Sequence, residues 1–156
     1  MQRASDFLEV CRVYHAIVRR KVRNLWRAVG GSDGAYRQAV ELAAPDVHFR
    51  FVGDTPMGAD VRGREAFAEW FRRFEEVFPG LRLTLRDVAV QGPPWNTTVV
   101  TRLHVRGTLA DGSGYENEAM QWVRLRWGRM VEDTVLEDTL RLDRAYRIQQ
   151  AALEIS

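Results

Sequence analysis

The chain has 156 residues, 46% of them hydrophobic and 28% charged, which favours one soluble globular domain and excludes a disordered protein. Its net charge is only +2, and the short basic run from Arg19 to Arg23 is interpreted as the solvated side of a helix, so nucleic acid is not an expected partner. No apolar run approaches the ~20 residues that span a bilayer, and the single cysteine, Cys11, suits a reducing cytoplasm, so we expect a cytoplasmic protein without membrane contact.

Two helices are predicted at the start of the chain. From about Ser5 to Val29, apolar residues recur every three or four positions and form one helical stripe. The glycine-rich segment from Gly30 to Gly34 ends this helix. A second, short helix is predicted from Ala35 to Ala43, because the residue before Pro45 disfavours helical backbone.

The next segments alternate between strand and helix. Val47 to Val52 alternates in polarity, which predicts a strand, and the segment after it is predicted to be a loop with room for a short strand. A third helix is the clearest prediction, because its apolar residues recur at helical spacing and Pro79-Gly80 ends it. These apolar residues are Phe67, Trp70, Phe71, Phe74, Val77 and Phe78.

Four longer strands and a last helix complete the chain. The strands are separated by short turns that contain glycine, and they are predicted at Leu81 to Gln91, Thr97 to Thr108, Tyr115 to Arg126 and Arg129 to Glu137. The last helix is predicted from about Leu140 to Leu153. Consecutive strands with short turns imply an antiparallel sheet, and helices before and after it imply one α+β domain over residues 1–156.

This order of elements, with the segments GREAFAEWFRRFEEVFPG and RWGRMVEDTVLEDT, resembles the nuclear transport factor 2-like superfamily. Within it the chain is similar to the SnoaL-like polyketide cyclase and ketosteroid isomerase group, over about Val22 to Ala145. The resemblance implies a cone-shaped, strongly curved antiparallel sheet wrapped on helices, with an extended N-terminal helix, a C-terminal helix and a blind apolar pocket. It says little about chemistry, because the superfamily includes isomerases, dehydratases, epoxide hydrolases, cyclases and non-catalytic binders.

Turn geometry predicts which strand residues share a face. If Asp111-Gly112 is the centre of a two-residue hairpin, Arg102 lies opposite Gln121. If Trp127-Gly128 is the next two-residue turn, Gln121 lies opposite Thr134. A slip of one residue would exchange the faces. The polar face would carry Arg102, His104, Arg106, Asn117, Gln121, Thr134 and Asp138, and the apolar face Val99, Leu103, Val105, Met120, Trp122 and Val135.

Each face then receives an expected role. The apolar face is too extensive to be bare on a monomer, and the resemblance implies that the outer sheet face packs on a second subunit. The expected homodimer contact consists of Val99, Leu103, Met120 and Trp122. The polar face would line a pocket for a small hydrophobic molecule. The expected aromatic substrate-binding walls of this pocket are Trp26, Phe49, Phe51, Trp70 and Phe74.

Arg102 and His104 are the main catalytic candidates, because charged groups in a pocket cost free energy unless they are paired or solvated. His104 is predicted to be the acid and base, since imidazole titrates near neutrality. Arg102 would anchor the substrate or stabilise an oxyanion, and Gln121 would donate to a carbonyl oxygen. The alternative is a structural Arg102 that pairs with Asp138, Glu137 or Glu118.

Family patterns match this sequence only in part. The ketosteroid isomerase positions hold Leu25, Phe51 and Gln121, which excludes that mechanism. The limonene epoxide hydrolase pattern retains its arginine at Arg102, but His104 and Val135 stand at its two aspartates. The resemblance to SnoaL-like cyclases implies a His–Asp pair, for which His104 with Asp138, or with Asp133, is available.

The expected function is therefore cofactor-free cyclisation, isomerisation or dehydration of a small, polyketide-like molecule. The three histidines, His15, His48 and His104, show no metal-ligand spacing, so neither a metal nor another cofactor is expected. Two alternatives remain open: a non-catalytic ligand-binding or dimerisation module, and epoxide hydrolysis.

Overall fold

The computed structural model describes residues 2–29 and 36–155 of the chain. The elements are α1 (Gln2–Val29), α2 (Tyr36–Leu42), β1 (Ala43–Val52), β2 (Ala59–Arg62), α3 (Arg64–Val77), β3 (Arg82–Gln91), β4 (Thr97–Thr108), β5 (Gly114–Arg126), β6 (Arg129–Glu137) and α4 (Thr139–Ile155). The predicted turn Gly30 to Gly34 and the predicted helix start at Ala35 lie outside the described residues. No helix within the described ranges combines the length and apolar character needed to cross a membrane.

The six strands form one curved, unclosed sheet in the order β2-β1-β6-β5-β4-β3. The predicted antiparallel meander from β3 to β6 is confirmed, whereas β1 pairs with β6 in parallel. β1 begins at Ala43, before the predicted Val47, because Ala43 already pairs with Met130. The register shifts between Ala43 and His48, and Pro45 lies in that irregular part, where its missing N–H removes no ladder bond. The predicted α+β fold class is confirmed.

Aromatic side chains from α3 and β1 form the centre of the core. The ring centroid of Phe49 lies 5.0 Å from that of Phe67 and 4.8 Å from that of Trp70. Phe51 lies 4.9 Å from Trp70. Trp70 is partly buried, and its Nε1 donates to the backbone oxygen of Met57 at 2.8 Å, so the polar atom of the indole is satisfied. Burying each such ring contributes roughly 1.5–3 kcal/mol, which fixes α3 against β1.

The β4–β5 hairpin has a three-residue loop, and its register differs from the prediction by one residue. The N–H of Leu109 donates to the oxygen of Ser113 at 2.8 Å, which leaves 110–112 as the loop. Gly112 takes a φ of +84°, as the last position of such a loop requires. Arg102 therefore lies opposite Met120. The predicted two-residue hairpin is wrong, and every β4 side chain lies on the face opposite to the predicted one.

The β5–β6 turn is the predicted two-residue turn, but a bulge follows it. Trp127 and Gly128 have φ values of +50° and +77°, as a type I′ turn requires. Val131 has no partner on β5, so the register beyond it shifts by one residue. Gln121 consequently lies opposite Val135 and not, as predicted, opposite Thr134.

These two shifts reverse the predicted assignment of β4 and β6 to the faces of the sheet. Arg102 and His104 lie on the outer face with Met120 and Trp122, because directly opposite residues share a face. The concave face, toward the helices, carries Val99, Thr101, Leu103, Gln121, Val123 and Asp133.

Candidate functional site

A cavity of about 440 Å³ lies between α1, α2, α3 and the concave face of the sheet. Its volume is in the range of small-molecule sites. Most of its walls are aliphatic or aromatic, and the sheet contributes the polar residues Thr101, Gln121 and Asp133, with Arg82 at the start of β3. The described residues therefore enclose an apolar pocket with a polar row on one wall.

α1 forms one wall of the cavity and is fastened to the sheet at two points. Tyr14 Oη lies 2.6 Å from Thr97 Oγ1, and the Thr97 hydroxyl itself donates to Pro93 at 2.8 Å, so Tyr14 is the donor. His15 Nε2 lies 2.7 Å from the backbone oxygen of Gly92 and donates to it. These bonds hold the helix across the open side of the curved sheet.

The polar row consists of three side chains linked by hydrogen bonds. Thr101 Oγ1 donates to Gln121 Oε1 at 3.1 Å, and Gln121 Nε2 donates to Asp133 Oδ2 at 3.1 Å. In this orientation the amide nitrogen of Gln121 faces the carboxyl group and its oxygen faces the threonine hydroxyl. Three adjacent strands, β4, β5 and β6, supply one residue each, so the geometry of the row is fixed by the sheet ladder.

Asp133 is the most unusual titratable group in this wall. The residue is 1% exposed, and burial raises the pKa of its carboxyl group to about 7, although the hydrogen bond from Gln121 acts in the opposite direction. Its other oxygen, Oδ1, has no hydrogen-bond partner among the described residues. A carboxyl group with this pKa is available as both acid and base near neutrality.

The five predicted substrate-binding aromatics divide into two groups. Trp26 and Phe74 line the cavity. Phe49, Phe51 and Trp70 do not line it; they pack on one another between α3 and β1. The expectation that these three residues form pocket walls is therefore wrong, because Trp70 of α3 covers the face of β1 that carries Phe49 and Phe51.

His104 and Arg102 do not enter the cavity, contrary to the prediction. Arg102 forms an ion pair with Glu118 at 2.7 Å on the outer face of the sheet, which was the structural alternative. His104 Nδ1 lies 3.1 Å from the guanidinium of Arg86 and accepts from it, while Nε2 lies 2.6 Å from Glu116 Oε1. The hydrogen bond with His104 holds the pKa of the Glu116 carboxyl below its ordinary value. His104 and Arg102 therefore both have their hydrogen-bond partners outside the pocket.

Asp138 caps a helix and does not line the cavity. Its Oδ1 accepts from the N–H groups of Leu140 and Arg141 at 3.1 and 3.2 Å, in the first turn of α4. Its Oδ2 lies 3.3 Å from the guanidinium of Arg141. Asp138 and His104 have separate partners, so they do not form the His–Asp pair that the resemblance made available to them.

A second group of linked polar side chains lies at the end of β6. Asn117 Nδ2 donates to Tyr115 Oη at 2.9 Å and to Glu137 Oε2 at 3.1 Å. Burial raises the pKa of the Glu137 carboxyl group to about 7. None of these residues lines the cavity, so the group is assigned to the packing of β5 and β6.

Sequence reasoning missed Thr101 and Tyr14 and gave Asp133 only as an alternative. A signal for Asp133 was present, because it alternates with the apolar residues Val131 and Val135. A carboxylate at the apolar positions of a strand indicates either a pairing partner or a function. No group of three or more His, Cys, Asp or Glu side chains suited to a metal occurs in the described part of the chain.

The outer face of the sheet exposes part of the predicted dimer contact. Met120 and Trp122 are 44% and 52% exposed there, and Leu136 joins them. Val99 and Leu103 are buried on the concave side, so their expected place in the contact is wrong. The correction has the same cause as that of Arg102, the one-residue shift of β4.

Comparison with known proteins gives one family and a set of similar structures. A model of the SnoaL-like domain matches residues 22–133. No curated protein sequence matches the chain.

Three solved structures illustrate the similarity of fold. A candidate SnoaL-like polyketide cyclase from Jannaschia sp. CCS1 has 20% identity and a TM-score of 0.67 over 83% of this chain and 90% of its own. A candidate polyketide cyclase from Xanthomonas campestris pv. campestris has 19% identity and a TM-score of 0.56 over 80% and 93%. TerC, co-crystallised with polyporic acid, has 19% identity and a TM-score of 0.58 over 71% and 85%. Identities this low show the shared fold alone.

Proposed function

Because this chain belongs to the SnoaL-like domain family, we propose that it is a cofactor-independent cyclase or isomerase in which Asp133 moves a proton on a small, largely apolar substrate. The observation that carries the proposal is Asp133 Oδ1, an oxygen of a buried carboxyl group on the cavity wall that has no hydrogen-bond partner in the described part of the chain. Such a group costs stability, and strongly perturbed carboxyls in cavities are typical of functional sites.

One carboxyl group is sufficient for the proton transfers of this chemistry. In its ionised form Asp133 removes a proton from a carbon next to a substrate carbonyl. The electron pair left on that carbon then forms a new carbon–carbon bond or shifts a double bond. The negative charge that results on oxygen or carbon takes the same proton back from Asp133, so no further reactant is consumed. A pKa of about 7 makes both directions accessible.

Gln121 positions Asp133 and supplies a donor to the substrate. One N–H of its amide is directed to Asp133, and the amide oxygen accepts from Thr101. The second N–H of the same nitrogen is then available for a carbonyl oxygen whose charge increases during the reaction. This is the role expected for Gln121 from the sequence, now with Asp133 in place of His104.

The apolar walls contribute by shape. They exclude water from the carboxyl group, and they hold a flexible chain in a folded conformation, which lowers the entropic part of a ring-closing barrier. TerC was co-crystallised with polyporic acid, and two structural neighbours are described as candidate polyketide cyclases. A polyketide-like aromatic or polyene substrate is consistent with these neighbours and with Trp26 and Phe74 in the walls.

The proposal is tested with a probe that reports proton removal directly. 5-Nitrobenzisoxazole opens when a base removes its ring proton, and the product absorbs visible light. We expect the wild type to accelerate this opening, with a rate that rises with pH through about 7 as Asp133 ionises. Asp133→Asn should lower the rate about 100-fold or more, the usual contribution of a general base.

Arg102→Gln is the matched control, because it changes a charged residue of the outer face that is 53% exposed. It should leave the rate and the pH profile unchanged. Equal rates for the wild type and Asp133→Asn would contradict the enzyme proposal and favour a non-catalytic binding module. Epoxide hydrolysis required Arg102 in the pocket, and its place on the outer face removes the basis of that alternative.

The same proposal includes a homodimer in the cytoplasm. The exposed Met120, Trp122 and Leu136 form a contiguous apolar surface on neighbouring strands, which a second copy of the chain would cover. The unpaired Cys11 suits a reducing compartment.

A further inference from the structure

One positively charged residue interrupts the apolar wall that α1 presents to the cavity. The cavity-facing residues of α1 recur at helical spacing and are Tyr14, Ile17, Val18, Lys21, Val22, Leu25, Trp26 and Val29. Lys21 is exposed although it lines the cavity, so its ammonium group lies at the opening. Among the described residues it forms no hydrogen bond or ion pair.

Lys21 is also chemically distinct from the other basic residues. It is the single lysine among 23 basic side chains, and all the others are arginine. An ammonium group on a flexible four-carbon stem is able to lie along apolar surface while its charge stays at the water boundary. Such a side chain is suited to hold an anion at the entrance of an apolar cavity.

The charges around the opening favour an anion. Arg82 is a second exposed cation that lines the cavity, and Glu75 is a carboxylate in the same lining. Below pH about 7 the buried Asp133 is uncharged. Among the described lining residues, two cations and one carboxylate therefore leave the opening net positive, while the interior remains apolar.

We infer that the ligand of this cavity is an amphipathic carboxylate, whose carboxylate group pairs with Lys21 at the opening and whose apolar body extends toward Asp133. This inference rests on the proposed function, since it names the class of substrate for the same cavity. An ion pair at the opening would orient the ligand, so that one end of the apolar body always meets Asp133.

The test compares two probes with the same apolar chain, decanoate and methyl decanoate, by isothermal titration calorimetry. We expect the wild type to bind decanoate about tenfold more tightly or better, which is the effect of one charge-assisted hydrogen bond. Lys21→Met should remove this preference and leave the affinity for methyl decanoate unchanged, whereas Lys21→Arg should keep most of it. Arg20→Met, the neighbouring exposed residue outside the lining, should behave as the wild type.

Three outcomes would overturn the inference. Equal affinities of the wild type for the two probes would remove the anion preference and leave the proposed enzyme intact. If Lys21→Met weakens the binding of both probes equally, Lys21 acts only through packing. The inference would then fail, and the proposed enzyme would remain intact. Failure of both probes to bind would count against the apolar ligand cavity itself, and therefore against the proposed function as well.

Discussion

Asp133 connects the proposed chemistry to the stability of the fold. Burial raises the pKa of its carboxyl group from an ordinary 3.8 to about 7, so the folded chain holds this proton more tightly than the unfolded chain does. The contribution of Asp133 to the free energy of unfolding is therefore greatest at low pH, and it is lost as the pH rises from about 4 to about 7. A shift of three pH units corresponds to roughly 4 kcal/mol, which is a large part of a typical folding free energy.

We therefore predict that the wild type is more stable at pH 5 than at pH 8. Asp133→Asn should be more stable than the wild type at pH 8 and should lose much of the pH dependence, because its amide cannot ionise. Glu137, whose pKa is also raised to about 7, accounts for the remaining slope. Urea unfolding at the two pH values measures both effects. A wild type as stable at pH 8 as Asp133→Asn would contradict a buried, ionising Asp133.

The candidate site was predictable from single residues only in part. Gln121, Trp26 and Phe74 lie in the cavity lining, and their roles there stay predictions. His104 was selected because imidazole titrates near neutrality, yet its chemistry says nothing about which face of β4 it occupies. Asp133 was recognisable only by contrast with its apolar neighbours on β6, and its pKa depends on burial, which no single residue reveals.

At the scale of elements, periodicity predicted the helices and strands well, because each element shows its pattern within a few residues. The register between two neighbouring strands instead depends on the length of the loop that joins them and on bulges. One additional residue in the loop 110–112 and the bulge at Val131 each shifted a strand by one position. Alternation then moved every side chain of the shifted strand to the other face. The correct strands with the wrong register therefore gave the correct fold and the wrong catalytic pair.

We predict that Asp138 stabilises α4 by capping its first turn. Asp138→Ala removes the acceptor for two N–H groups at the start of this helix and should lower the free energy of unfolding by about 1 kcal/mol. Asp138→Asn retains a capping oxygen and should cost much less. Thermal or urea unfolding gives the difference between the two variants. Both should open 5-nitrobenzisoxazole at the wild-type rate, and a large loss in both would instead indicate a catalytic Asp138.

At the scale of the whole molecule, we predict that the outer sheet face forms the dimer contact. Trp122→Glu places a charge in the centre of the exposed apolar surface and should convert a wild-type dimer into a monomer. Trp127→Glu is the matched control, because Trp127 is 70% exposed at the β5–β6 turn, outside that surface. Sedimentation velocity distinguishes the two species. A monomeric wild type, or a dimer that tolerates Trp122→Glu, would contradict this contact.

The parallel pairing of β1 with β6 has a consequence for how the protein reaches its native state during synthesis. Phe51 pairs with Val135, and about half of the chain lies between them. The early hairpin of β1 and β2 therefore has no further strand beside it until β6 has left the ribosome, and a loop of that length closes slowly. Since β6 also carries Asp133, the cavity wall with the proposed catalytic carboxyl group is complete only once this last strand has emerged. An exposed hairpin edge before that moment is where chaperones would be needed most.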